Sequence, residues 1–386
     1  MAKLGEVCSI KSGYAFKSKL FVDVGIPIIR IGDIADFKVK LDDVVYYPND
    51  LWNELEPYAI HKGDILIAMS GATVGKVGVY CSNKKALLNQ RVGNIVSDCK
   101  KTINEYILYF CQSQHFTEYI FESAFGCAQP NISIEQIKNC ELEIPCLDVQ
   151  YERVKKLANI DFLINAKKTQ VKKLDLLVKS RFIEMFGTYP ANKKSWQTGT
   201  IRDVITEARY GSSRPAVDGG KYPYLRMNNI TYDGRLDLAD IKTIDVPDSE
   251  LPKCSVKYGD VLFNRTNSRE LVGKTCVYTS HNLMVLAGFI IRIRVKDIIL
   301  PEFLSAFLNT DFSKNMLRNM CKSAIGQANI NAQEMQNIGI YIPPIEKQQE
   351  FVRFERAIND KSKLAIQQSL EKLETLKKSL MQEYFG

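Results

Sequence analysis

The chain is written twice, and this constrains its fold more than any other feature. Residues 173–187 read KLDLLVKSRFIEMFG and residues 372–386 read KLETLKKSLMQEYFG, with eight of fifteen positions identical at an offset of 199. Upstream, Lys62-Gly63-Asp64-Ile65-Leu66 answers Tyr258-Gly259-Asp260-Val261-Leu262, and Gly75-Lys76-Val77 answers Gly273-Lys274-Thr275. Further along, Gln129-Pro130-Asn131-Ile132 answers Gln327-Ala328-Asn329-Ile330, and Ile144-Pro145 answers Ile342-Pro343. The offsets stay between 196 and 199 and the order is kept, so the chain is a tandem of two similar halves.

Each half reads as a globular unit followed by a helix. Short alternating stretches such as 27–31 and 289–295, punctuated by turns such as Lys62-Gly63-Asp64, predict strands. Helical patches near 105–121 and 301–320 make the units α+β. The helices that follow are more sharply marked. Leu157, Ile164, Val171, Val178 and Met185 recur every seven residues, with Ile160 and Leu174 between them. In the second half Ile366, Leu370, Leu373, Leu376 and Leu380 keep spacings of three and four. Pro145 and Pro343-Pro344 precede these segments, and Gly187 and Gly386 stop them. At a rise of about 1.5 Å per residue the first seam would run about 58 Å, longer than one small domain needs. The expectation is that the two helices pair with one another as a coiled coil; antiparallel pairing would relate the halves by a pseudo-twofold. The division predicted is 1–147 for the first domain, 148–187 for the central spacer helix, 188–345 for the second domain and 346–386 for the C-terminal spacer helix.

Composition excludes several classes. No run of about 18 uncharged apolar residues marks a membrane span, and MAKLGEVCSI lacks the apolar core of a secretory signal, so a cytoplasmic protein is expected. The ten cysteines are scattered, without a C-x-x-C, and there are only three histidines, which argues against structural zinc and leaves reduced, mostly buried thiols. The net charge of +8 is unevenly placed, since 148–187 alone carries nine Lys or Arg against five acids.

Catalytic patterns are missing. Gly71-Ala72-Thr73-Val74-Gly75-Lys76 has three residues rather than four between its glycines, and Val77 where a phosphate loop needs Ser or Thr. The one Pro-Pro pair, Pro343-Pro344, lies between Ile342 and Ile345, without the acidic or amide residue and the aromatic of an adenine methyltransferase motif. Asp64 and Asp260 recur, but each follows a turn glycine and turn formation accounts for them. No catalytic residue, metal ligand or cofactor site is assigned.

A duplicated, basic chain with a rigid spacer suits the reading of two separated sites on DNA. A two-fold protein meets half-sites roughly 34–36 Å apart, or multiples of that. Arg reads guanine, Asn or Gln reads adenine, and Thr contacts the thymine methyl. The second half supplies such residues in clusters: Arg209, Tyr210, Ser212 and Arg214; Arg226 and Asn228; Asn264, Arg265, Asn267 and Arg269 directly after an apolar strand. Lys274, Gln327 and Asn329 extend the set. Their counterparts in the first half are Tyr14, Lys17, Arg30, Ser70, Thr73 and Lys76, with Arg91, Gln129 and Asn131 beyond.

Several stretches, in this order, resemble the specificity subunits of type I restriction–modification systems: Ser12-Gly13-Tyr14-Ala15-Phe16-Lys17-Ser18, Arg30-Ile31-Gly32-Asp33-Ile34, Gly63-Asp64-Ile65-Leu66-Ile67, Ser70 through Lys76, Asn89-Gln90-Arg91, Ala128 through Ser133, and Pro343-Pro344-Ile345-Glu346-Lys347-Gln348. The resemblance spans essentially the whole chain. It implies two inverted target-recognition domains on an antiparallel coiled coil, each reading one part of a bipartite, asymmetric site in double-stranded DNA. It implies helices that dock two methyltransferase subunits, with a restriction subunit able to join. S-adenosylmethionine, ATP and magnesium would belong to those partners, and this chain would be non-catalytic. The halves differ where they would meet DNA: Ala68 through Thr73 stands against Asn264 through Arg269, and Asn89-Gln90-Arg91 against Leu286-Ala287-Gly288. Two other readings stay open from the residues alone. A self-contained methyltransferase or nuclease would act without partners, and an interaction scaffold that never meets DNA would give no salt-dependent gel shift.

Overall fold

The computed structural model describes residues 1–124, 130–324 and 327–386, with the backbone alone for 322–324 and 327. The chain divides into two compact units. Unit 1 comprises Met1–Ala166 and Ser369–Gly386; unit 2 comprises Lys167–Gln368. Both are α+β.

In unit 1 a six-stranded sheet runs, in spatial order, Cys8–Ser12, Val92–Ser97, Ile65–Ala68, Val77–Val79, Phe37–Val39, Ile34–Ala35. A four-stranded sheet of Val45–Tyr47, Ile26–Ile29, Ala86–Leu88 and Ala59–Ile60 accompanies it. Unit 2 repeats the plan. Ile205–Tyr210, Ile290–Val295, Val261–Asn264 and Thr275–Val277 form one sheet, and Lys242–Ile244, Tyr222–Leu225 and Val285–Leu286 another. The backbone bonds also repeat. Gly75 N donates to Ala68 O as Gly273 N does to Asn264 O, and Ile132 N to Met69 O as Ile330 N to Arg265 O. The turns predicted at Lys62-Gly63-Asp64 and Tyr258-Gly259-Asp260 form with Gly63 at φ +98° and Gly259 at φ +87°, a region that costs an L side chain. Asp64 Oδ2 accepts from His61 N at 2.9 Å, and Asp260 Oδ2 from Lys257 N at 2.8 Å.

Each expected late helical patch is two helices: Asn104–Cys111 and Gln114–Ala124 in unit 1, Pro301–Leu308 and Asp311–Met320 in unit 2. The break comes from a hydroxyl that caps the second helix. Ser113 Oγ accepts from Phe116 N at 3.1 Å, and Thr310 Oγ1 from Ser313 N at 3.3 Å.

The central helix spans Leu147–Phe186. The C-terminal segment is helical throughout but not uniform: Ile345–Arg356 and Leu364–Phe385 are α-helical, and Ala357–Lys363 between them is a π-helix. The wide turn coincides with a buried cation. Lys363 is turned inward and its ammonium pairs with Asp175. The seam holds within each unit. Leu157, Ile160 and Ile164 are buried in unit 1, while Val171, Leu174 and Val178 are half-buried in unit 2. Ile366, Leu370, Leu373 and Leu380 are half-buried, whereas Leu376 is 48% exposed and stands off the seam. In unit 1 Lys377 pairs with Asp161 at 2.7 Å and Arg153 donates to the Tyr384 carbonyl at 3.4 Å. In unit 2 Asp175 pairs with Lys363, and Glu350 with Arg181 at 3.1 Å. Rising numbers on one segment meet falling numbers on the other, so the paired segments are antiparallel in each unit.

Each helical segment starts on one domain and ends in the core of the other unit. The start is fixed by a glutamine with no exposed surface. Gln150 accepts from Ile103 N at 3.1 Å and donates to Pro145 O at 2.8 Å; Gln348 accepts from Leu300 N at 2.8 Å and donates to Pro343 O at 2.8 Å. The far ends are aromatic. Phe182 and Phe186 pack on Phe303 and Phe351 in unit 2, and Phe385 lies against Tyr106 and Phe110 in unit 1.

The nine cysteines among the described residues are all free of disulfides. Five are buried, but Cys81, Cys99 and Cys146 are exposed, so burial is less general than composition implies.

Candidate nucleic-acid interface

The polar clusters of unit 2 come from four separate stretches of chain, and the sheet gathers them. Val285–Leu286 pairs in parallel with Tyr222–Leu225. This brings the turn after Leu286 beside the Met227–Asn229 turn that follows Leu225. Ser212 bridges Ala287, and Ser212 N donates to Leu286 O at 2.6 Å. Arg265 N donates to Phe289 O at 3.0 Å, which draws in the stretch after Val261–Asn264. Gly211 is required here, because a Cβ on it would lie 2.2 Å from Leu286 O; Gly13 in unit 1 would place one 1.8 Å from Leu88 O. The result is a hollow of about 490 Å³ with Ser213, Arg226, Asn228, Arg265 and Phe289 in its walls.

Unit 1 builds the same frame. Tyr14 bridges Asn89, Met69 N donates to Arg91 O at 2.9 Å, and Ser70 bridges Asn131. The Ile31 side chain, in the turn that follows Arg30, comes within 3.6 Å of where a Cβ on Gly71 would sit. Lys17, Lys76, Arg91 and Asn131 are exposed, while Tyr14, Arg30, Ser70 and Thr73 are half-buried. Tyr14 packs its ring on Phe16 and Tyr58. Gln129 lies outside the described residues.

In unit 2 the predicted residues divide by surroundings. Asn228, Arg269 and Asn329 are exposed, and Tyr210 is exposed beneath the Arg265 guanidinium, which lies 4.8 Å above its ring. Arg214 is held by Glu250 at 2.7 Å and Arg226 by Asp240 at 2.9 Å, both partly exposed pairs that a polyanion can open. Arg209 pairs with Glu207 on the sheet, away from the hollow. Asn267 is half-buried on Thr266–Asn267, which pairs with Gln327–Asn329; of Gln327 only the backbone is described. Ser212, Asn264 and Lys274 are buried. Lys274 Nζ donates to Met227 O at 2.8 Å and Asn264 Nδ2 to the same oxygen at 3.5 Å. Burial pushes the Lys274 ammonium below the usual lysine range. These two hold the Met227–Asn229 turn from below rather than presenting themselves to a ligand. Their first-half counterparts Lys76, exposed, and Ala68, without a polar group, do no such work. Phe289 was missed by reading polar residues. Aligning it with Arg91, which holds the same backbone bond, is the signal that finds it.

Ten buried side-chain nitrogen or oxygen atoms among the described residues lack a hydrogen-bond partner in the protein, and six fall in these two clusters. They are Arg30 Nε, Ser70 Oγ and Thr73 Oγ1 in unit 1, and Arg226 Nε, Asn264 Oδ1 and Arg265 Nε in unit 2. Buried polar groups are nearly always satisfied, by protein or by ordered water, so these six atoms stand out in the two clusters.

Residues 1–174 and 193–375 match the family model described as type I restriction modification DNA specificity domain, and the chain belongs to that family. Among its relatives is the EcoKI specificity subunit of Escherichia coli K12, 24% identical over 376 residues that cover 92% of this chain and 80% of that protein. The StySPI specificity subunit of Salmonella potsdam is 24% identical over 375 residues, covering 91% and 80%. Two solved structures share the fold. A type I restriction–modification S subunit from M. genitalium aligns at TM-score 0.52 with 14% identity, covering 100% of this chain and 95% of that one. A chain from a structural study of type I complex assembly and conformational transition aligns at 0.56 with 17% identity, covering 100% and 96%. Among the described residues no helix is long and apolar enough to cross a membrane.

Proposed function

We propose that this chain is the sequence-reading subunit of a type I restriction–modification complex. Each domain, 1–147 and 188–345, reads one half of a bipartite site in double-stranded DNA. The segments 148–187 and 346–386 hold the readers apart as spacer helices. The observation that carries this is one frame of turns built twice, with matching backbone bonds and different side chains at its surface. A repeated frame with diverged contacts suits an asymmetric target. The chain supplies recognition, and chemistry belongs to its partners.

Those partners are two methyltransferase subunits, and a restriction subunit can join. The helices carry apolar side chains that their own unit does not cover. Tyr151, Phe162 and Leu163 are 59%, 72% and 45% exposed in unit 1, and Leu176 and Leu177 are 60% and 46% exposed in unit 2. Apolar rows of this kind on a helix mark protein contact surfaces.

Methylome sequencing of a host with and without the chain tests the reading. Adenine methylation at one bipartite motif should appear only with the chain and its methyltransferase. The double substitution Asn228→Ala, Arg265→Ala should relax or change one half of the motif and leave the other intact. If both halves change together, those residues are structural. Methylation or cleavage by the purified chain alone would sink the non-catalytic role.

A further inference from the structure

The hollow of unit 2 is too large and too apolar for hydrogen bonding to base edges alone. We propose that it receives one nucleobase displaced from the DNA stack, with Phe289 as the ring that takes the vacated stacking place or lies against the displaced base. This rests on the reading of the clusters as the DNA interface.

Three observations carry it. First, Phe289 is 51% exposed in a turn at the wall of a cavity of about 490 Å³. A cavity of that size falls within the range of about 300–1,000 Å³ typical of small-molecule sites. DNA offers two apolar features, the thymine methyl in the major groove and the faces of its bases. A methyl leaves such a hollow nearly empty, whereas a base has room to enter it whole. Second, the walls carry donors without acceptors. Arg226 Nε and Arg265 Nε are buried and have no hydrogen-bond partner in the protein. A shift of either side chain toward a base would give it a ring nitrogen or carbonyl to donate to. Third, the arrangement is particular to this unit. The shared frame gives Met69 and Arg91 in unit 1 where unit 2 has Arg265 and Phe289. The arginine has changed strand, leaving an apolar ring at one position and, at the other, a guanidinium stacked on Tyr210. Aromatic rings and arginine planes are the groups on which unstacked bases rest. Unstacking costs a few kcal/mol, which apolar wedges at DNA kinks offset by new contacts.

The test uses the full chain and duplexes carrying the target motif, with 2-aminopurine placed in turn at each position of the half-site read by unit 2. The methylated base is left unlabelled, because a methyltransferase displaces it on its own account. Binding is followed in parallel by gel retardation. One position should brighten severalfold on binding. Phe289→Ala should lose most of that rise while Phe289→Trp keeps it. Sequence-specific retardation with no brightening at any position overturns the displaced base and spares the DNA interface. Absence of sequence-specific retardation overturns both.

Discussion

At the scale of single residues, unit 2 carries a titrating group that the sequence does not announce. Burial, and the neighbouring Glu302 carboxylate, push the Glu355 carboxyl from 4.5 up to about 7; Lys363 and Arg356 pull the other way, and Asp360 adds to the rise. A carboxyl whose pKa is raised on folding stabilises fully below about pH 4.5, and that contribution is lost as pH rises through about 7. Glu355→Gln should therefore gain thermal stability relative to the parent as pH rises between these limits and keep the gain above them, on the order of 3 kcal/mol. Melting curves at pH 5 and pH 8 check this, and an equal effect at both would refute it. The same scale shows what reading letters misses. Arg226, Asn228 and Arg265 stand out as polar residues in apolar surroundings, and they do line the hollow. Lys274 and Asn264 have the same appearance in the sequence, yet they lie beneath a turn, because burial depends on which strand covers them. Phe289 is the reverse case: an apolar letter resembles core until the fold leaves it outside.

Among the elements, the helices were the most legible part, because an apolar seam every seven residues fits a long helix and neither a strand nor a loop. What periodicity does not carry is the π-turn at Ala357–Lys363, which depends on where Asp175 sits in space, nor the breaks at Ser113 and Thr310, which depend on a cap. The fixed point of each helix is its buried glutamine. Gln150 also accepts from Thr102 Oγ1 at 2.9 Å and donates to Lys101 O at 3.1 Å, and Gln348 donates to Ile298 O at 3.1 Å. Replacing either by alanine strands several buried backbone groups at about 1–3 kcal/mol each, softened where neighbours relax. Gln150→Ala should destabilise unit 1 and Gln348→Ala unit 2, seen as faster amide exchange at 101–103 and 298–300 respectively. Unchanged exchange would mean that the helix starts are held by their apolar seam alone.

For the whole molecule, the assignment of chain to units is the organising fact. Unit 1 is discontinuous: it needs Ser369–Gly386 in addition to Met1–Ala166. A chain cut after residue 368 should keep unit 2 close to native and lose stability in unit 1, which is deprived of Tyr384, Phe385 and the Lys377–Asp161 pair. Limited proteolysis with mass mapping of the first cuts distinguishes this from equal loosening of both units.

That discontinuity has a meaning in time. The first domain leaves the ribosome about two hundred residues before its last core residues are made. Until then the aromatic surface around Tyr106 and Phe110 has no Phe385 to cover it. The domain synthesised first is thus the one finished last, and a nascent chain must shield that aromatic patch throughout the making of its second unit. Premature termination late in the message would fall hardest on the part already made.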